Sequence, residues 1–313
     1  MDEPTLKRLA FIKFIFRTGV EFSSKLTPYN SISLLHFHDS IEMFLKLSID
    51  YNGDFSTISK DLGIPKLMEK IDEKIKENDP TSSLSYSGLM TLNSARNKFK
   101  HTGMIPASID IETYRSNAST FFLENCKILF SIEFSEISMA HLIFNEEIRN
   151  EINDAEEKFN NSLVDEALEK LAMGFAIALI LFNEKKKLFG FYSSTNSVSI
   201  SWDYDNKELD LHDLESFSDD VHVEFENIYE ILNIFLLNLD YPSYYKFKYV
   251  TPEITYHRRE KKFITKVKNW EIPPDDSDFQ FCISFVIDAI IKIENSLKSF
   301  EKLPKLKSRI LDF

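Results

Sequence analysis

Seven glycines and ten prolines punctuate a chain of 313 residues, and this scarcity of breakers is the strongest constraint on its fold. A sandwich or barrel of short strands needs frequent turns, and Gly and Pro supply most of them. A chain so poor in both favours long helices. The apolar residues agree with that reading. Leu6, Leu9, Ala10, Ile12, Phe14 and Phe16 feed one broad face of a helix predicted over residues 2–24. A second helix is expected from near Pro28–Ser31 to about Tyr51, where Asn52-Gly53 stops it.

A shorter, more charged helical stretch is expected over 56–78, interrupted at Gly63-Ile64-Pro65, before Asp79-Pro80 breaks the chain. Ser82–His101 reads as a fourth helix, with Thr102-Gly103 as its C-terminal cap. A fifth runs from about Ile109 to Phe130. Five helices joined by short connections make an antiparallel bundle the economical fold for residues 1–133. Residues 134–313 form a second, mainly helical domain. Two helices are expected between 137 and 187, the second apolar enough to be buried (EALEKLAMGFAIALILF). A β-hairpin is expected near 187–203, helices at 214–239 and 277–300, and strands within YYKFKYVTPEITYHRREKKFITKV. The fold class is therefore mainly α, with a small β element.

Composition excludes several functions. With 43% hydrophobic residues and 28 Phe, the chain can build cores and is not disordered. A net charge of −13 repels phosphate backbones, which disfavours a DNA-binding protein with a broad basic face. It permits an enzyme that grips RNA in a small pocket. Cys126 and Cys282 lack zinc-ligand spacing and read as reduced and buried in a cytoplasmic protein, although one bridge stays open. The N-terminus has no signal-peptide pattern. The longest apolar run, Leu171–Phe182, falls short of the ~20 residues that cross a bilayer. A soluble protein without membrane contact is expected.

The string Arg96-Asn97-Lys98-Phe99-Lys100-His101 carries the most chemistry. Asn97 and His101, four apart, share a helix face. Arg96 lies about 140° round the helix from His101 at 100° per residue, yet its long side chain can swing towards the imidazole. The negative end of the helix dipole favours a protonated imidazole at His101. These groups suit RNA cleavage without metal or cofactor. A histidine can take the ribose 2′-hydroxyl proton or give one to the leaving oxygen, and an arginine fork can stabilise the phosphorane-like transition state. Asn97 can hold an oxygen or orient the ring. A 2′,3′-cyclic phosphate and a 5′-hydroxyl are the expected products, and DNA, lacking the 2′-hydroxyl, is left intact. The same residues also suit an ordinary surface helix, whose last turn attracts cations.

The string resembles the R-x4-6-H signature of HEPN domains in its R-N-x3-H form. HFHDSIEMFLKL is similar to the family's second helix, in which an acid is followed by Leu-Lys; this maps to Glu42 and Lys46, with Asp39 as a further polar residue near the cleft. The resemblance covers residues 1–133 and implies a four- to five-helix bundle, ribonuclease activity, and a homodimer whose two motifs meet in one cleft. It also implies a toxin or defence role and an antitoxin or regulatory partner. Members paired with nucleotidyltransferases carry a tyrosine two residues after the motif histidine. Here Gly103 stands there, so silencing by modification of that residue is not expected. The alternative within the family is a non-catalytic bundle that dimerises or binds a partner.

Other candidates are weaker. His36 and His38, two apart, do not share a helix face, and His38 with Glu42 supplies too few ligands for a metal site. Lys100 and the stretch Arg258, Arg259, Lys261 and Lys262 are candidate RNA contacts, with Tyr244, Tyr245, Tyr249 and Tyr256 nearby for stacking; a solvated strand edge or loop explains that stretch more often. Trp202 and Trp270 read as core or interface anchors. A transferase or binding pocket in the second half is a third possibility.

Overall fold

The computed structural model describes residues 1–86, 88–187, 228–257, 262–266 and 268–302. They are mainly helical and divide into two compact units, Met1–Leu142 and Ile143–Phe313.

In the first unit, α1 (Glu3–Ser23) pairs along α2 (Tyr29–Tyr51), with α5 (Ser108–Phe130) also against α2. α3 (Ile64–Asn78) packs on α2, and α4 (Leu89–Thr102) lies against both α2 and α5. Asp2 starts α1 by accepting from the Thr5 amide, with Pro4 in the first turn, where its missing N–H costs nothing. The core is built on phenylalanine: Phe16, Phe44, Phe121, Phe122 and Phe134 meet at ring distances of 4.5–5.8 Å. Gly19 lets α1 approach α2 closely, since a Cβ there would meet His36 and Phe37 at 2.9 Å. Lys13 donates to the carbonyls of Ser135 and Ile137, tying the segment after α5 to α1.

Two expected helices begin later than the sequence suggests. The stretch 56–78 is helical only from Ile64; before it lie a 3-10 turn, Gly53–Phe55, and irregular chain. Extended Gly63 and the Pro65 ring set that start. α4 begins at Leu89, because Leu84 donates to Asp72 Oδ1 at 2.8 Å and Ser85 exchanges two hydrogen bonds with the Asn125 carboxamide. Gly88, in the left-handed region at φ 62°, then turns the chain into the helix. A Cβ at Gly88 would overlap the Asn117 carboxamide. The expected C-terminal cap is present: Gly103 has φ 69° and donates to the Phe99 carbonyl.

In the second unit, α6 (Glu146–Asn160) and α7 (Val164–Lys187) form a helical hairpin, and residues 228–236 are helical. α8 (Tyr241–Val250) and α7 both pack on α9 (Asp276–Glu301). Strands β1 (Glu253–His257) and β2 (Lys262–Lys266) pair antiparallel, Glu253 opposite Lys266 and Tyr256 opposite Phe263. The first part of the expected strand-rich stretch is thus a helix. Asp240 caps α8 by accepting from the Ser243 amide, Pro242 fits its first turn, and Tyr244, Phe247 and Val250 form its inward stripe. The hairpin expected near 187–203 lies outside the described residues, as does Trp202. No helix among the described residues is long and apolar enough to cross a membrane.

Candidate functional site

Two helices of the first unit bring polar side chains together. From α2 come His38, Asp39, Glu42 and Lys46, and from α4 come Asn93, Arg96 and Asn97, at the three- and four-residue spacings that share a helix face. His38 is buried. Its Nε2–H donates to Asn93 Oδ1 at 3.1 Å, while Nδ1 lies 3.4 Å from Asp39 Oδ1 and 3.8 Å from Glu42 Oε2. Glu42 accepts from Lys46 Nζ at 2.5 Å. Arg96 Nη2 stands 4.0 Å from Asp39 Oδ1, and Nη1 donates to Asn97 Oδ1 at 3.3 Å. The hydrogen bond from His38 holds the Asp39 carboxyl below the usual carboxylate range; burial opposes it, and the charges of His38 and Arg96 add to it.

Arg96 is the half-hidden member of the cluster. Its side chain is 18% exposed, and its Nε is buried without a hydrogen-bond partner among the described residues. The guanidinium therefore lies across the surface of α4, between the carboxylate of Asp39 and the carboxamide of Asn97. One turn beyond Asn97, His101 is exposed at the helix end, and no hydrogen bond or ion pair joins its side chain to another described residue. Arg96 and His101 diverge round the helix as their spacing predicts. Asn97 accepts from the first and lies on the helix face of the second, four residues before it.

Donor atoms of His38, Asp39 and Glu42 lie within 4.8 Å of one another. Two carboxylates here already face two cations, Lys46 and Arg96, so the cluster is a balanced charge network rather than a site awaiting a cation. Glu42 and Lys46, expected as supporting polar groups, pair with each other along α2. Asn93 was missed, although it lies three residues before Arg96 and on the same face.

A groove of about 650 Å³ runs along the other side of α4, between the helix, Met104–Ala107 and α5. Ser94 and Lys98 form its α4 wall, Asp110 and Tyr114 its far wall. Lys98 lies three residues before His101, so the groove opens beside the histidine's face. Around it Met90, Met104, Ile105 and Ile109 are exposed.

Lys100 is exposed on α4 and Lys262 on β2. Arg258, Arg259 and Lys261 lie outside the described residues. Tyr244 is buried and cannot stack a base at the surface, whereas Tyr245 and Tyr249 are exposed; Tyr256 packs on Phe263. The Trp270 indole donates to the Tyr249 carbonyl at 3.2 Å. Both cysteines are free, buried thiols, each pushed up to about 12 by burial.

No protein-family model, curated protein or solved structure matches the chain.

Proposed function

We propose that the chain is a metal-independent endoribonuclease whose site, on α4, is completed by a second copy of the chain. The observation that carries this is the arrangement of Arg96, Asn97 and His101: an arginine positioned by Asp39, an asparagine hydrogen-bonded to that arginine, and a free histidine at the exposed end. One copy supplies one histidine. Acid and base together need two, which a two-fold axis through the α4 faces provides.

In this reading one His101 takes the proton from the 2′-hydroxyl, whose oxygen attacks phosphorus. The second His101 protonates the departing 5′-oxygen as the P–O5′ bond breaks. Arg96 balances the charge that accumulates on the phosphoryl oxygens, and Asn97 holds the ring or an oxygen in place. The products are a 2′,3′-cyclic phosphate and a 5′-hydroxyl. The HEPN resemblance adds a toxin or defence role in the cytoplasm and an antitoxin or regulatory partner, on analogy alone.

The test is incubation of the full chain with structured RNA in EDTA. Wild type is expected to cut, and His101→Ala and Arg96→Ala to lose at least about 100-fold, the lower range for a proton-transfer group. Metal-dependent cleavage, or cleavage unchanged in both variants, rejects the mechanism. The second reading is a non-catalytic bundle that docks a partner, favoured by the exposed Met104 and Ile109 beside the motif. Under it RNA stays intact at every protein concentration.

A further inference from the structure

The second unit holds a cavity of about 290 Å³ that plays no part in the α4 chemistry. Its floor is apolar, formed by Ala172, Phe175 and Ala176 of α7, Phe247 of α8 and Ile254 of β1. Ala172 and Ala176, four apart, lie on one face of α7, and their small side chains leave a trough that larger ones would fill. Phe175 meets Phe247 edge-on at 5.3 Å, which fixes the floor in place. The volume sits near the lower limit of the roughly 300–1,000 Å³ of ligand pockets. An occupant would be smaller than a drug-sized molecule.

The mouth carries two carboxylates, Glu230 and Glu253, and two ammonium groups, Lys248 and Lys268, but they are unevenly paired, Glu253 having its ion pair with Lys266 at 4.0 Å. Glu230 accepts from Lys248 Nζ at 2.5 Å and also hydrogen-bonds the buried Tyr244 phenol. Lys268 differs. Its Nζ donates to the Lys248 carbonyl, a neutral acceptor, and no ion pair joins it to a carboxylate among the described residues. Burial, with Lys248 beside it, holds the Lys268 ammonium below its ordinary range, and Glu253 only partly offsets this. A half-buried cation with a neutral partner, next to an apolar trough, is complementary to an anion carrying an apolar body. The anion supplies the missing charge and the body displaces water from the floor.

We propose that this cavity binds a small organic anion, an apolar body carrying one carboxylate or phosphate, with Lys268 holding the anion and the Ala172/Ala176 trough seating the body. This gives the second unit a ligand-binding role independent of RNA cleavage. The test is calorimetric titration of the full chain with octanoate, phenyl phosphate, octanol and octylamine. Octanoate is expected to bind at least tenfold tighter than octanol, and octylamine weakest. Lys268→Gln is expected to lower octanoate to the level of octanol and leave octanol unchanged. Ala176→Phe is expected to remove binding of both. Equal affinity for octanoate and octanol overturns the proposal, as does an octanoate affinity unchanged in Lys268→Gln, or binding of neither anion.

Discussion

Replacing Asn125 with alanine should loosen the entry to α4 without touching any residue of the proposed site. The Asn125 side chain is fully buried and makes three hydrogen bonds: it accepts from the Ser85 amide at 2.8 Å and donates to the carbonyls of Ser85 at 3.0 Å and Phe121 at 2.9 Å. At a net ~0.5–1.5 kcal/mol each, the alanine variant should lose about 2–4 kcal/mol. Urea unfolding followed by circular dichroism measures this as a lower midpoint at unchanged slope. Asp72 braces the same segment through the Leu84 amide, so Asp72→Ala combined with Asn125→Ala should cost less than the sum of the two. A loss below about 1 kcal/mol for Asn125→Ala, or strict additivity with Asp72→Ala, would refute the view that these side chains hold 84–85 out of the helix.

Three further outcomes are expected. Gly103→Ala should cost about 1 kcal/mol, because φ 69° disfavours a Cβ although space is open; Gly88→Ala should cost more, because Asn117 must also move, and unfolding midpoints give the order. Asp39 has a depressed carboxyl pKa in the fold, so its contribution is present above the unfolded value of about 3.9 and is lost as pH falls through the lower, folded one. Its side chain is 53% exposed, so screening keeps that contribution small; Asp39→Asn should flatten the fall in stability below about pH 4, and an unchanged acid limb contradicts the assignment. Cys126 and Cys282, buried with pKa values raised to about 12, should resist Ellman's reagent in the native protein and react promptly in urea; fast native labelling of either contradicts its burial.

Where local chemistry decides structure, the sequence was legible. α1, α5 and α9 follow from their apolar stripes, and the end of α4 follows from Gly103. Where distant side chains decide, it was not. Residues 84–86 carry no local bar to helix, and their departure comes from Asp72 and Asn125, which are remote in sequence. YYKFKYV has the aromatic and β-branched content of a strand, yet the Asp240 cap and Pro242 start a helix there. The site divides in the same way. Spacing put Asn97 and His101 on one helix face. No spacing rule joins His38 to Asn93, because that contact depends on how α2 and α4 are packed.

That packing also bears on what Arg96 can do in the proposed reaction. An arginine with only solvent around it would lose side-chain freedom on meeting a phosphate; one already lying between Asp39 and Asn97 has given up most of it. Asp39 sits at 4.0 Å, at the outer limit of an ion pair, and is itself shared with His38. It orients the guanidinium without saturating it. A phosphoryl group entering from the Asn97 side would find a pre-aimed cation whose present carboxylate partner is weak enough to be outcompeted. The histidine has no comparable support. His101 stands on the exposed face, and whatever orients its ring comes from substrate or from the facing copy. In this mechanism the arginine half of the site is built by the fold of one chain and the histidine half by assembly, which makes assembly the step on which proposed activity turns.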